Sequence, residues 1–171
     1  MNPSSPTLFT LEPLANHDCR SFSCGVRELD RYYLDQASQD AKRKVAATFV
    51  MTDSAGSVVG YYTLSAYRVS LSEIPPDLAK RLPKYPLLPA TLLGRLAVSQ
   101  QHRGLKLGRL LLMDALHRSW RNTVQVASVG VVAEAYDEAA GAFYLHHEFQ
   151  PVEDHPKKVF LPMRTIEQLF A

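Results

Sequence analysis

The sequence is poor in cysteine. Its only two, Cys19 and Cys24, are separated by four residues, and no second pair accompanies them. This excludes a disulfide framework and supplies too few ligands for a structural zinc site. In a reducing compartment we expect both to be small, buried or half-buried side chains.

Long apolar runs are absent as well. No stretch approaches the roughly 20 apolar residues that a membrane-spanning helix needs. The N-terminal segment MNPSSPTLFT lacks the basic and apolar regions of a signal peptide. We therefore expect a cytoplasmic protein that does not act on a membrane.

A large excess of charge is missing too. The formal net charge is +2 and the pI is about 8.6, which excludes a strongly basic nucleic-acid coat. Any contact with RNA must come from local basic patches. With 46% hydrophobic residues in 171, the chain is expected to fold as a single domain over residues 1–171.

What the sequence does contain is a strand, a glycine-containing loop and a helix in direct succession. Residues 92–98, LLGRLAV, are apolar like a buried strand, and residues 103–108, RGLKLG, lead into a helical pattern of leucines. Glycines before a helix let backbone N–H groups face a ligand, and the helix N-terminus adds partial positive charge. With Arg103, Lys106 and Arg109 nearby, the stretch predicts a site for a diphosphate-sized anion. The alternative is a plain strand-to-helix turn.

The same stretch resembles the acetyl-CoA signature of the GNAT N-acetyltransferase superfamily, written Q/R-x-x-G-x-G/A. The similarity covers RLAV at 95–98 and the loop at 103–108, whose Arg103 and Gly108 match the ends of the signature. Lys106 departs from it, since it stands where the signature has its first glycine. The resemblance implies acetyl-CoA as the cosubstrate and no metal.

The resemblance also implies two sets of binding residues. The backbone amides that would polarise the thioester carbonyl belong to Leu96, Ala97 and Val98. The residues that would hold the pyrophosphate are Arg103, Gly104, Lys106, Leu107, Gly108 and Arg109.

A narrower likeness extends over nearly the whole chain. The stretches that carry it resemble, in the same order, the TacT-like toxins of bacterial toxin–antitoxin pairs: Phe22-x-Cys24-Gly25 with Leu29-Asp30, GYYTLS at 60–65, Leu82-Pro83-x-Tyr85-Pro86, LGRLAV at 93–98 and Phe143-Tyr144. Such enzymes acetylate the free amine of aminoacyl-tRNA and stop translation. The likeness implies the GNAT fold, an α/β (α+β) domain whose mixed, mostly antiparallel sheet has a splayed parallel pair and helices on both faces.

This likeness further implies a catalytic residue and partners. Tyr144 would be the general acid toward the departing CoA thiolate, because a phenol stays protonated at neutral pH. From the residues alone, a packing role for Tyr144 in an amphipathic helix is the alternative. Glu148 departs from the pattern, since the family has glycine before Phe149. The implied partners are aminoacyl-tRNA, a ribbon-helix-helix antitoxin, a second copy in a homodimer, and DNA only through the antitoxin complex.

Hydrophobic periodicity and turn residues predict the remaining elements. We expect a strand at 7–13, a helix at 26–43, a hairpin at 45–52 and 57–69, an irregular proline-rich stretch at 71–90 with a helical piece at 77–81, a helix from Leu107 to Arg121, a buried strand at 124–132, a helix at 137–147, a hairpin at 150–152 and 158–162, and a last helix at 164–170. In the helix at 26–43, the acidic residues are expected to face away from the core: Glu28, Asp30, Asp35 and Asp40.

Two groups of cations are candidates for contact with tRNA. Lys42, Arg43 and Lys44 end a predicted helix, where they either suit the helix dipole or contact phosphates. Arg81 and Lys84 lie in the proline-rich stretch, which is either a substrate entrance or a mere connection. The sequence does not separate these alternatives.

Other functions stay open. His146, His147 and His155 lack the partners of a known metal motif, so no metal site is predicted. The enzyme could instead acetylate a protein N-terminus, a lysine or a small amine. Because Lys106 and Glu148 replace expected glycines, a non-catalytic acyl-CoA-binding regulatory module is a further alternative.

Overall fold

The computed structural model describes residues 8–171. The described residues up to Thr63, together with Leu96–Leu112, form one compact unit, and Leu64–Arg95 with Met113–Ala171 form the other. Within the described part of the chain, every helix is too short or too polar to cross a membrane.

Seven strands and six α-helices follow one another in the described residues. They are β1 (Thr10–Pro13), α1 (Arg27–Arg31), a π-helical turn (Tyr32–Gln36), α2 (Ala37–Lys42), β2 (Ala47–Thr52), β3 (Val58–Ser70), a 3-10 turn (Leu71–Glu73), α3 (Pro76–Ala79), β4 (Leu87–Val98), a 3-10 turn (Gln100–His102), α4 (Leu107–Asn122), β5 (Gly130–Glu134), α5 (Glu138–His146), β6 (Gln150–Val152), β7 (His155–Pro162) and α6 (Met163–Phe170).

The strands form one sheet in the order β1-β2-β3-β4-β5-β7-β6. β1 pairs antiparallel with β2, and β7 pairs antiparallel with both β5 and β6. β4 and β5 are parallel, in register from Thr91↔Val131 to Leu93↔Ala133, and β4 continues past this paired segment to Val98. The predicted mixed, mostly antiparallel sheet with one parallel pair is confirmed.

Aromatic side chains fill the core of the first unit. The rings of Phe22, Tyr33 and Tyr61 lie with centroids 4.9–5.6 Å apart. The Tyr61 hydroxyl donates to the Leu29 carbonyl at 2.7 Å, so this strand residue also ties the helical segment to the sheet. Tyr61 and Tyr62 are both fully buried, so these two strand residues pack in the core.

The helix predicted at 26–43 is interrupted by the π-helical turn. This turn adds a residue to the helical repeat, and the adjacent residues Tyr32 and Tyr33 are both buried as a result. The prediction that Asp30 and Asp40 face away is wrong. Asp30 accepts a hydrogen bond from the Cys24 N–H, and Asp40 accepts one from the Tyr32 hydroxyl.

The core of the second unit is aliphatic with one central ring. Ile74, Leu88, Val132 and Phe160 are buried together in it. Gly130 begins β5 beside this cluster, where a Cβ atom would lie 2.6 Å from the Phe160 ring. Only glycine allows β5 to approach β7 this closely.

Two predicted boundaries are wrong. Residues 124–129 are not strand: Val124 is 87% exposed, and the Val126 N–H donates to the Asn122 carbonyl in a turn that follows α4. Periodicity misled here because an apolar run does not by itself show which residues are buried. The irregular stretch at 71–90 ends earlier than predicted, since β4 begins at Leu87 and tolerates Pro89 near its start.

The other predicted elements are confirmed within a few residues. They are the first strand, the hairpin of β2 and β3, the short α3, the long α4, α5, the hairpin of β6 and β7, and α6. Thr7, the first residue of the predicted first strand, lies outside the described residues.

Candidate active site

The end of β4 lies close to β3. The Ser99 N–H donates to the Val59 carbonyl at 2.8 Å, just after the last residue of the strand. At Gly60 an added Cβ would lie 3.0 Å from the Ala97 carbonyl oxygen and 2.8 Å from Leu111. Glycine at position 60 therefore lets Leu96–Val98, the predicted carbonyl-binding residues, sit directly against the neighbouring strand.

The loop after β4 has a backbone shape suited to anions. Gly104 and Lys106 both take the left-handed conformation, at φ 82° and 58°, immediately before α4 begins at Leu107. Left-handed residues interspersed with others turn successive N–H groups to one side, forming a concavity that binds anions. Leu107 is buried and fixes the start of the helix, whereas the loop itself is exposed.

Lys106 takes the left-handed conformation that glycine favours. An L side chain in this region costs about 1–2 kcal/mol, which glycine avoids. The loop therefore holds this backbone at an energetic cost and carries an exposed cation.

Cationic side chains surround the loop. Arg103, Lys106 and Arg109 are all exposed. The Arg103 Nη2 donates to the Cys24 carbonyl at 2.7 Å, so part of this guanidinium is engaged with the protein itself. Gly108 lies in the first turn of α4 and is half-buried.

Tyr144 lies in α5 of the second unit and is 3% exposed. Its ring packs against Phe149 and Phe143, with centroids 5.2 and 5.3 Å away. Burial raises the pKa of its hydroxyl well above the ordinary value. The phenol is consequently protonated at every physiological pH, as a general acid must be before it donates.

The end of α5 holds Tyr144 in place. The Phe149 N–H donates to the Tyr144 carbonyl at 3.1 Å, and the Glu148 N–H donates to the Leu145 carbonyl at 3.2 Å. These two bonds and the Tyr144–Phe149 ring contact are the features of a Schellman motif. Glu148 takes the left-handed conformation at φ 72°, which glycine favours at this position of the motif.

The candidate tRNA-contacting cations are exposed in both units. Lys42, Arg43 and Lys44 cluster at the end of α2 in the first unit. Arg81 and Lys84 follow α3 in the second unit. Lys42, Arg43 and Lys44 are consecutive, whereas Arg81 and Lys84 are separated by two residues.

Comparisons with known proteins agree with this geometry, although no family model matches the chain. A probable toxin TacT from Sinorhizobium fredii is 28% identical over 171 residues, covering 94% of both chains. The tRNA-acetylating toxin of Mycobacterium tuberculosis is 31% identical over 154 residues, covering 90% of this chain and 91% of the toxin. The chain belongs to the family of tRNA-acetylating toxins.

Solved structures of similar toxins share the fold. AtaT complexed with acetyl-methionyl-tRNAfMet matches with a TM-score of 0.87 and 26% identity, covering 95% of this chain and 99% of AtaT. A mutant AtaT bound to acetyl-CoA and to the C-terminus of the antitoxin AtaR matches with a TM-score of 0.82 and 25% identity, covering 95% of this chain and 98% of that chain. The AtaT–AtaR complex bound to DNA matches with a TM-score of 0.78 and 26% identity, covering 95% of this chain and 99% of that chain.

The loop before α4 has the features of an anion-binding site. The left-handed Gly104 and Lys106, the start of the 16-residue helix α4 and the exposed cations together suit a pyrophosphate. Among residues 8–171, no group of three or more His, Cys, Asp or Glu side chains could hold a metal ion.

One feature of the toxin was missed by sequence reasoning. Asp30 accepts hydrogen bonds from Ser23 and Cys24, and these residues in turn contact the segment before the anion-binding loop. The signal available in the sequence was the Leu29-Asp30 pair, which accompanies Cys24-Gly25 in the stretches that resemble the TacT-like toxins. Its meaning depends on contacts that periodicity does not reveal.

Proposed function

We propose that this protein is a toxin that transfers acetyl from acetyl-CoA to the free α-amine of aminoacyl-tRNA and thereby blocks translation. One structural observation carries the proposal. The two departures from the family's glycines, Lys106 and Glu148, both adopt the left-handed backbone that a glycine would take. The anion-binding loop and the turn behind Tyr144 thus keep their shapes, which argues against a decayed, non-catalytic module.

The residues have separate tasks in this reaction. Acetyl-CoA, when bound, supplies the acetyl group as a thioester. The amides of Leu96, Ala97 and Val98 polarise the carbonyl, and the loop from Gly104 to Arg109 binds the pyrophosphate. Tyr144 holds the proton that the departing thiolate needs.

Among residues 8–171, no side chain stands out as a base for the incoming amine. The α-amine of an aminoacyl ester is less basic than a lysine side chain, so a fraction is neutral near pH 7 without assistance. Water is a sufficient acceptor for the proton that the amine loses. The reaction then depends on positioning and on Tyr144.

The proposed location, oligomeric state and partners of the protein follow from its family. The protein acts in the cytoplasm as one acetyltransferase domain, without a metal, and forms a homodimer. A ribbon-helix-helix antitoxin neutralises it, and DNA is bound only through the complex with that antitoxin. The antitoxin and DNA complexes of AtaT support this part of the proposal. Lys42, Arg43, Lys44, Arg81 and Lys84 are the proposed contacts with tRNA phosphates.

The test is transfer of labelled acetyl from acetyl-CoA to a pool of charged tRNA. We expect labelled aminoacyl-tRNA with the parent protein and none with uncharged tRNA, which lacks the α-amine. Label on peptides or small amines instead of tRNA would favour the alternative transferase. Binding of acetyl-CoA with no transfer to any amine would favour the regulatory module.

A further inference from the structure

The residues before α1 contact the loop that leads into the acetyl-CoA site. The Gln100 N–H donates to the Ser23 carbonyl at 2.9 Å, and the Arg103 Nη2 donates to the Cys24 carbonyl at 2.7 Å. We call Ser23-Cys24-Gly25 the brace, because it holds both ends of the segment 100–103. That segment runs directly into Gly104.

Gly25 makes this close approach possible. Its φ is 86°, and an added Cβ would collide with the side-chain amide of Gln100 and lie 3.2 Å from the Arg103 Nη2. A side chain at position 25 would have to displace the Gln100 amide and the Arg103 guanidinium, and it would be strained at this φ. Glycine at this position therefore suits the contact between the two segments.

Asp30 holds the brace from the helix side. Its Oδ1 accepts from the Cys24 N–H at 2.8 Å, and its Oδ2 accepts from the Ser23 hydroxyl at 3.0 Å. Both carboxylate oxygens are thus used on two adjacent residues. Hydrogen bonds to an ionised acceptor are stronger than those between neutral groups.

The charge of Asp30 reaches the loop through a single peptide group. The Cys24 N–H and the Ser23 carbonyl belong to the same peptide unit. A carboxylate that accepts from this N–H polarises the unit and makes its carbonyl a better acceptor. The Gln100 N–H is the donor that the Ser23 carbonyl binds.

We infer that Asp30 is a positioning residue for acetyl-CoA binding. Through the brace, it fixes the segment 100–103 and so sets the direction of the amides that follow from Gly104 to Lys106. Arg103 serves the same purpose with at least one guanidinium nitrogen, in addition to supplying charge. The inference rests on the proposed acetyl-CoA site.

The experiment measures the Kd of acetyl-CoA by calorimetry, together with KM and kcat for acetyl transfer. We expect Asp30→Ala to weaken binding about tenfold, the scale of losing charge-assisted hydrogen bonds, and to raise KM with kcat nearly unchanged. The Kd of Asp30→Asn should lie between those of the parent and Asp30→Ala. An uncharged amide can still accept from the Cys24 N–H and donate to the Ser23 hydroxyl. Asp35→Ala, an exposed aspartate of the π-helical turn, is the matched control and should leave the Kd unchanged.

A double variant tests whether Asp30 and Arg103 act together through the brace or act independently. If Arg103 and Asp30 act through the same contacts, Asp30→Asn combined with Arg103→Lys will weaken binding less than the product of the two single effects. Independent, multiplying effects would contradict the inference. It would equally be overturned by an Asp30→Ala protein that is less stable but binds acetyl-CoA as the parent does. If the parent binds no acetyl-CoA, the proposed function itself fails.

Discussion

Helices α2 and α5 end in the same backbone motif but serve different purposes. The Asp40 carbonyl accepts from the Val45 N–H at 2.9 Å, as the Tyr144 carbonyl accepts from the Phe149 N–H at 3.1 Å. The residue before each donor, Lys44 or Glu148, is left-handed at φ 62° or 72°. In both places the position favoured by glycine carries a charged side chain.

The residues that follow these turns differ. Val45, after α2, is 61% exposed, whereas Phe149, after α5, is 2% exposed and packs on Tyr144. The charges differ as well, because a lysine suits the negative end of a helix dipole and a glutamate does not. The turn after α2 presents cations to solvent, whereas the turn after α5 holds a buried phenol. The role of each turn therefore follows the burial of the side chain that comes after it.

The largest effect is expected at the phenol itself. Tyr144→Phe keeps the ring contacts but removes the proton, so acetyl transfer should fall about 100-fold or more while stability changes little. Labelled acetyl transfer to charged tRNA measures this. Tyr136→Phe, at an exposed tyrosine just before α5, is the control that should retain activity. Full activity of Tyr144→Phe would remove Tyr144 from the mechanism.

The difference in burial between Val45 and Phe149 is tested by truncating each side chain to alanine. Phe149→Ala leaves a cavity beside Tyr144 and should lower the free energy of unfolding by about 3–5 kcal/mol. Val45→Ala removes an exposed side chain and should change it by less than about 0.5 kcal/mol. Denaturant unfolding compares the two, and equal losses would contradict the difference drawn between the turns.

Alkaline pH should reveal how the buried Tyr144 hydroxyl contributes to the free energy of unfolding. The pKa of Tyr144 is raised in the folded protein. The stabilisation that this shift represents is therefore fully present below pH ~10 and is lost as the pH rises further. Between pH 10 and 11 the parent should lose about 1 kcal/mol more than Tyr144→Phe. Tyr33 and Cys24, whose pKa values burial also raises, remain in both proteins and cancel. Parallel pH curves for the two proteins would show that the Tyr144 hydroxyl is not held neutral.

Relief of backbone strain should be greater after α5. Glu148→Gly removes a left-handed side chain and a carboxylate from the end of the helix, so we expect a gain of about 1 kcal/mol. Thermal unfolding at neutral pH measures the gain. Glu148→Gln is the control that removes the charge but keeps the strain. A loss of stability in Glu148→Gly would mean that the glutamate makes a compensating contact.

The smallest change in stability, with a selective functional effect, is expected at α2. Lys44→Gly relieves strain but loses a favourable charge, so the net gain should be about 0.5 kcal/mol or less. If Lys44 contacts a tRNA phosphate, the same variant will bind charged tRNA more weakly and with a lower salt dependence. Unchanged tRNA binding would leave the helix dipole as the reason for this cluster.

The sequence by itself determined the order of the elements and the parts of the site that are local. The loop at 103–108, the turn between β2 and β3 and the helix that carries Tyr144 were predicted from neighbouring residues. Local signals suffice there because helix periodicity, turn residues and strand alternation each act over a few positions. The likeness in motifs then supplied the chemistry of acetyl transfer.

Only the tertiary structure decided where β5 begins and what Asp30 does. β5 begins at Gly130, which lies close to the Phe160 ring of the neighbouring strand, and the apolar run from Val124 cannot reveal this contact. Arg103 and Cys24 are 79 positions apart in the chain, so their hydrogen bond exists only after folding. The left-handed backbone at Lys106 and Glu148 is likewise imposed by the packing and hydrogen bonds around it, because neither side chain favours that conformation on its own.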